Sequence, residues 1–400
     1  MVVYRRQQLF FPWLFALVLV LFTLLAGCSL PAISAQERLF LDISLEFLDD
    51  YTLPKQKYEG TLVGGLSGIT YDRQRDRFYA LSDDRGIYAP ARFYTLKLNL
   101  DTNELGSPEI KNIQIEDVTL LLDADGQTYS NGEINPEGIA WAAPNKLYIS
   151  SEGVTDKNIP PFISEVDLGT GQWQRSLPVP DRYIANASGE QQQGVQENLG
   201  FESLTINPRG FGDATVDPYN LFTATEAPLA QDRNSADSGS DSGSDSQQPA
   251  RNRFLQYLIG DGPPLLLAEY AYPLDIGGRW SIINSLTELL ALDRGGHLLS
   301  LERSFGLVGY GAKIFQVTIG GATDTSSIAS LQDNNVESLR KQLELDLGNL
   351  GITLDNLEGM TIGPRLADGT QSLILVSDDN FNEDQVTQFL LFRLNNSSQK

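Results

Sequence analysis

Four glutamates and one serine recur along the chain in one local setting, each just ahead of a short apolar run. Glu137 stands in NPEGIAW, Glu202 in GFESLTINP, Glu288 in SLTELLALD and Glu358 in NLEGMTIGP, while Ser67 holds that place in GLSGITYD. A second apolar run follows each time and ends in further acid: Asp83 and Asp84, Glu152, Glu226, Glu302, then Asp378 and Asp379. So many carboxylates, if they converge, cannot all stay ionised: either their pKa values rise or a cation sits among them. Oxygen ligands without His or Cys favour a hard ion, and a flexible anionic cage favours Ca²⁺ over Mg²⁺. Ser67, Glu137, Glu202, Glu288 and Glu358 are therefore candidate ligands of a central Ca²⁺. The plainer alternative is that each glutamate accepts backbone N–H bonds and caps a strand.

Cations accompany the second acidic set. Arg85, Arg92, Arg303 and Lys313 could hold the anionic group of a small ester substrate, with Asp83 or Asp378 as general base. Salt bridges to the acidic residues are the competing reading. Other chemistry is narrowed by two counts, one cysteine and one histidine. The body of the chain has no thiol nucleophile, disulfide or cysteine-based zinc site. His297 sits in DRGGHLL, which reads as a turn entering a strand, and no G-x-S-x-G elbow is present. A net charge of −23 disfavours nucleic acid, whose phosphates would be repelled. The DADG fragment at Asp123 hints at an EF-hand, but Leu121 and Gly132 stand where ligands are needed.

The acidic pattern returns after about seventy residues, too long for a hairpin but fitting four short strands with turns. A four-stranded unit repeated about an axis is a propeller blade, whose first strand lines the central channel. The fold expected is thus all-β, a single β-propeller of five blades, or six if the long third unit is two. The fifth blade ends one strand short, and the alternating stretch Phe40 to Leu53 can complete it, so that the termini share a blade and remove an open edge. Val336, Leu339, Leu343 and Leu347 recur at helical spacing, which predicts an inserted helix near 335–347. Residues 231–252 include SADSGSDSGSDSQQP, which cannot bury apolar surface and reads as a disordered loop, with calcium-binding Asp/Ser repeats as the alternative.

At the N-terminus, Arg5 and Arg6 precede an apolar run and then Ala26-Gly27-Cys28, an export pattern whose alternative is a retained membrane span. LAGC resembles the lipobox of bacterial lipoproteins, which implies cleavage after residue 27 and lipidation of Cys28. The expected organisation is a signal peptide over 1–27, a lipidated tether over 28–37, the propeller over 38–395 and a tail over 396–400.

The motifs GGLSGITYD with FYALSDDRG, NPEGIAW with LYISSEG, NLGFESLTINP with LFTATEAP, LLSLERSFG, and NLEGMTIGP with LILVSDDNF resemble as a set the phytase-like family of bacterial exported proteins, described as "esterase-like activity of phytase". The resemblance runs from about Leu62 to Leu394 and implies a β-propeller and hydrolysis of phosphate or other esters. It is similar in outline to calcium-dependent propeller phytases and to five-bladed calcium-activated nucleotidases. The resulting expectation is a cell-envelope lipoprotein, monomeric and touching the membrane only through its lipid, that hydrolyses phosphate esters with Ca²⁺. The alternatives are a noncatalytic scaffold with a structural axial cation and a plain carboxyl esterase.

Overall fold

The computed structural model describes residues 39–396 except 104–105, 187–190, 208–217, 234–249, 276–280, 294, 308 and 333–334. Strand β1 (Ile43–Leu53) comes first, followed by a small hairpin of β2 (Gln56–Tyr58) and β3 (Thr61–Val63). Blade one is β4 (Leu66–Asp72), β5 (Arg77–Ser82), β6 (Arg92–Thr102) and β7 (Pro108–Leu120). Blade two is β8 (Pro136–Ala142), β9 (Lys146–Ser151), β10 (Phe162–Asp167) and β11 (Trp173–Ser176). Blade three is β12 (Phe201–Ile206), β13 (Tyr219–Thr225), β14 (Arg251–Ile259) and β15 (Leu265–Pro273). Blade four is β16 (Ser281–Ala291), β17 (His297–Gly306), β18 (Gly309–Thr318) and β19 (Arg340–Asp346). Blade five is β20 (Asn356–Arg365), β21 (Gln371–Asp378) and β22 (Thr387–Asn396), with β1 as its outer strand.

Each blade is an antiparallel meander, and its first strand touches the first strands of both neighbours, so β4, β8, β12, β16 and β20 close a ring in chain order. The five-bladed reading therefore holds, as does closure by the termini: β1 pairs antiparallel with β22 from Ile43↔Asn396 to Leu53↔Thr387. Apolar side chains of neighbouring sheets fill the spaces between blades. Leu66, Ile69, Phe78, Ile374 and Val376, for example, join blades one and five.

One expectation fails. Apart from a 3-10 turn that begins at Leu347, no helix lies at 335–347 among the described residues; β19 runs along β18 instead, pairing Leu345 with Ile314 and Leu343 with Phe315. Four apolar residues at helical spacing are a weak preference, and the unpaired edge of β18 offers a full ladder of hydrogen bonds that overrides it. The loop expected over 231–252 is narrower in its described parts. Ala230–Asp232 forms a 3-10 turn, and Arg251 and Asn252 already belong to β14. The signal peptide, Cys28, the tether to residue 37, the central part of that loop and the tail beyond Asn396 lie outside the described residues.

Candidate active site in the central channel

Every innermost strand carries a bulge opposite its partner, between Leu66 and Gly68, Pro136 and Ile139, Phe201 and Ser203, Leu286 and Glu288, and Leu357 and Gly359. A bulge leaves one residue outside the ladder and re-aims its side chain. The bulged residues are Ser67, Glu137, Glu202, Thr287 and Glu358, so the ring holds three carboxylates and two hydroxyls. The hydroxyls act as staples between blades: Ser67 Oγ donates to the Glu137 carbonyl at 2.9 Å, and Thr287 Oγ1 lies 3.4 Å from the Leu357 carbonyl. Glycine after the bulge permits the close approach of the next strand. A Cβ on Gly68 would meet the Glu137 carbonyl at 2.6 Å, and one on Gly138 the Glu202 carbonyl at 2.7 Å.

Glu288 occupies the place of those glycines, not of the ring carboxylates. Its side chain accepts the amides of Leu204 at 3.1 Å and Leu289 at 2.9 Å, with Met360 as a further donor, so it ties three inner strands together. Burial still holds its pKa well above the usual carboxylate range. In blade four the sequence pattern misleads by one residue, because SLTELL offers a glutamate beside the position that counts.

The second strands deliver Glu152, Glu226, Asp83 and Asp378 to the same region. Glu137, Glu152 and Glu202 are all buried, and each offers a carboxylate oxygen within 4.8 Å of the others. Burial, then the charge of Glu152, holds Glu137 far up; burial, then Glu137, does the same to Glu202. Glu152 is pushed to about 8 by burial and Glu226, opposed by the Gly200 amide it accepts at 2.6 Å. Asp83 likewise rises to about 8 through burial and Glu358, and its Oδ1 is buried without a hydrogen-bond partner. Asp378 is raised by burial, then Asp83 and Glu358. Such a group of carboxylates in low dielectric lacks positive charge.

Two arginines supply part of it. Arg303 bridges Glu226 (2.8 Å) and Glu358, and its Nη1 also donates to Asn356 Oδ1 at 2.5 Å. Asn356 donates in turn to Glu358 at 2.8 Å. Although burial pulls the Arg303 pKa down, Glu358, Glu226 and Glu202 raise it and keep the guanidinium charged. Burial raises Glu358, and Arg303 close by limits the rise to about 7. Blade two repeats the device: Arg85 donates to Asn135 Oδ1 at 2.7 Å, and Asn135 donates to Glu152 at 2.7 Å. The N-x-E-G motif shared by NPEG and NLEG is thus an asparagine that couples an arginine to a carboxylate, a role that spacing did not reveal.

Two other expected residues lie elsewhere. Arg92 is fully buried, with Asp84 at 2.8 Å, the Tyr94 hydroxyl at 2.7 Å and the Leu62 carbonyl at 2.9 Å as partners. It is an internal brace of blade one, not an anion-binding group. Lys313 pairs with Asp275 at 2.6 Å beside Glu302, which itself turns to Tyr272 and Lys341 between blades three and four. For both cations, pairing with an acid brought close by the fold consumes the charge.

A five-bladed β-propeller with a buried acidic ring at its centre and arginines set into it defines the class. The phytase-like model, described as "esterase-like activity of phytase", matches residues 61–381, and the chain belongs to that family. No curated protein matches the chain. Among solved structures the chain is similar to a thermostable family-43 glycoside hydrolase, at 12% identity and a TM-score of 0.37, over 86% of this chain and 92% of that one. A glucose dehydrogenase-type putative oxidoreductase of Thermus thermophilus overlaps at 10% identity and a TM-score of 0.35, over 87% and 100%. Hydrazine synthase of Kuenenia stuttgartiensis overlaps at 11% and 0.30, over 81% of this chain but only 59% of its own length. Overlaps this loose carry nothing about chemistry.

Proposed function

We propose that this protein is an exported propeller hydrolase, anchored by a lipid on Cys28 to the cell envelope, that cleaves phosphate esters with Ca²⁺. The observation that supports it is the meeting of Glu137, Glu152 and Glu202 oxygens within 4.8 Å in a buried channel. Hard oxygen ligands, buried charge in excess and the family's phytase-like character all favour calcium over a softer metal. Calcium held there would supply Lewis-acid polarisation of a phosphoryl oxygen.

The chain's own groups then divide the remaining work. Arg303, set between Glu226 and Glu358, and Arg85, aimed by Asn135, present N–H donors to the ester's anionic oxygens. Asp83 carries a buried oxygen free of hydrogen bonds and is raised to about 8, so it takes a proton from water in its ionised form, whose share grows as pH climbs above neutral. Asp378, held protonated by burial and then by the charge of Asp83, keeps its own proton and leaves Asp83 as the acceptor.

Turnover of p-nitrophenyl phosphate, p-nitrophenyl acetate and phytate should be measured with calcium and after chelation. Calcium-dependent release from a phosphate ester is expected, and activity that survives complete chelation would overturn the metal-assisted reading. A noncatalytic scaffold is the second reading, favoured by the fact that Arg303 and Arg85 already have protein partners. Calcium-dependent stability without turnover of any of the three esters would select it.

A further inference from the structure

We infer that Tyr88 and Phe381 form a stacking platform at the mouth of the acidic channel, and that the ester taken there carries one flat aromatic or heteroaromatic group. The inference rests on the phosphate-ester reading and names its substrate class.

The two rings come from loops that leave the acidic ends of β5 and β21, so the same topology that delivers Asp83 and Asp378 delivers them. Their centroids are 4.5 Å apart with a tilt of 31°. Tyr88 is 57% exposed, far more than packing of an aromatic side chain requires. Its backbone N–H is held by Asp84, which also receives the amides of Ile87 and Ala89, so the loop is fixed although its ring faces water.

Phe381 is held with equal care. Asn380 and Phe381 are consecutive non-glycine residues in the left-handed region, at φ 47° and 52°. Such a conformation persists where surrounding contacts impose it, and it concentrates at functional sites. Here the amide of Asn380 bonds Asp378 at 2.7 Å and that of Phe381 bonds Asp379 at 3.1 Å. The ring that results sits directly beside the proposed base. A Cβ placed on Gly65 would lie 2.5 Å from the Phe381 ring and would also press on Asp83 Oδ1, so ring and carboxylate flank the same point. The guanidinium of Arg92 lies 5.9 Å from the same ring on its buried side, which leaves Tyr88 as the solvent-facing half of the pair.

Charge points the same way. A polyphosphorylated ring would bring many negative charges into a channel whose carboxylates already outnumber Arg303 and Arg85. Each phosphoryl group beyond the first would need positive charge in addition to the proposed cation and the two arginines, which favours recognition of the rest of the molecule without charge. An aromatic face does that.

Phenylphosphonate and methylphosphonate, which are not hydrolysed, separate the two claims by calorimetric titration in calcium buffer. The wild-type protein should bind phenylphosphonate about two- to twelvefold more tightly, the span expected of one aromatic stacking contact. Tyr88→Ala should erase that preference, leave methylphosphonate affinity and melting temperature unchanged, and raise the KM for phenyl phosphate but not for glycerol phosphate. Tyr88→Phe should keep the preference. Equal discrimination by wild type and Tyr88→Ala, or none in the wild type, would overturn the platform alone. Failure of both phosphonates to bind would overturn the phosphate-ester reading and the platform with it.

Discussion

Given the proposed calcium site, a glutamate in this channel would destabilise the metal-free protein and stabilise the loaded one, so single substitutions should act with opposite sign in the two states. Glu202→Gln replaces a carboxyl that burial and then Glu137 force to take up a proton with a group that is neutral from the start. It should lower calcium affinity at least about tenfold, raise the melting temperature in chelator and lower it in calcium, read by calorimetry. Arg92 offers the contrast. Arg92→Met leaves Asp84 buried without its partner and should cost roughly 3–5 kcal/mol in denaturant titration, the usual penalty of a broken internal pair. If Arg92 instead bound substrate, the variant would keep its stability and lose affinity.

At the scale of elements, the bulged inner strand is the device that aims the site, and in blades one, two and five the glycine after the bulge lets the neighbouring strand come close. Gly138→Ala would press a methyl against the Glu202 carbonyl at 2.7 Å and Leu204 at 2.7 Å. It should cost about 1–3 kcal/mol in urea titration and weaken calcium binding, because β12 must shift with Glu202 on it. Gly262→Ala, whose new methyl meets nothing within 4 Å, is the control and should stay within about 0.5 kcal/mol of wild type. The helix expected near 335–347 shows where local pattern loses to tertiary demand. The spacing of Leu339, Leu343 and Leu347 was real, yet Leu343 is 49% exposed on the outermost strand because β18 needed an edge partner more than these residues needed a shared face.

For the molecule as a whole, the buried acids set an unusual pH response. Asp83 and Glu152 sit near 8 and Glu358 near 7, all above the values of an unfolded chain. A raised folded-state pKa means that stability is fully present below about 4 and is lost as pH climbs through 7 to 8. In chelator the melting temperature should therefore fall between about pH 5 and pH 8.5, and calcium should restore most at the alkaline end. A melting temperature in chelator that rises over that interval would contradict the carboxylate cluster. Ring closure is the other whole-molecule property. Deleting residues up to Leu53 strips β1 from β22, and the bared edge should turn a cooperative melt into aggregation, followed by light scattering.

The recurrence of Ser67, Glu137, Glu202, Glu288 and Glu358 ahead of apolar runs was enough to give five blades, with six left open, and the ring of inner strands, because a repeat that circles an axis must place equivalent residues together; the short fifth unit and the alternating Phe40 to Leu53 stretch gave closure by the termini. The repeat could not place Glu288, since one extra residue in a strand is a matter of bulge geometry and leaves no mark in composition. Nor could it separate Arg303, which stays in the channel, from Arg92 and Lys313, which are spent on Asp84 and Asp275. Charge and type are written in the chain, whereas the partner that neutralises a charge is decided only when distant strands pack.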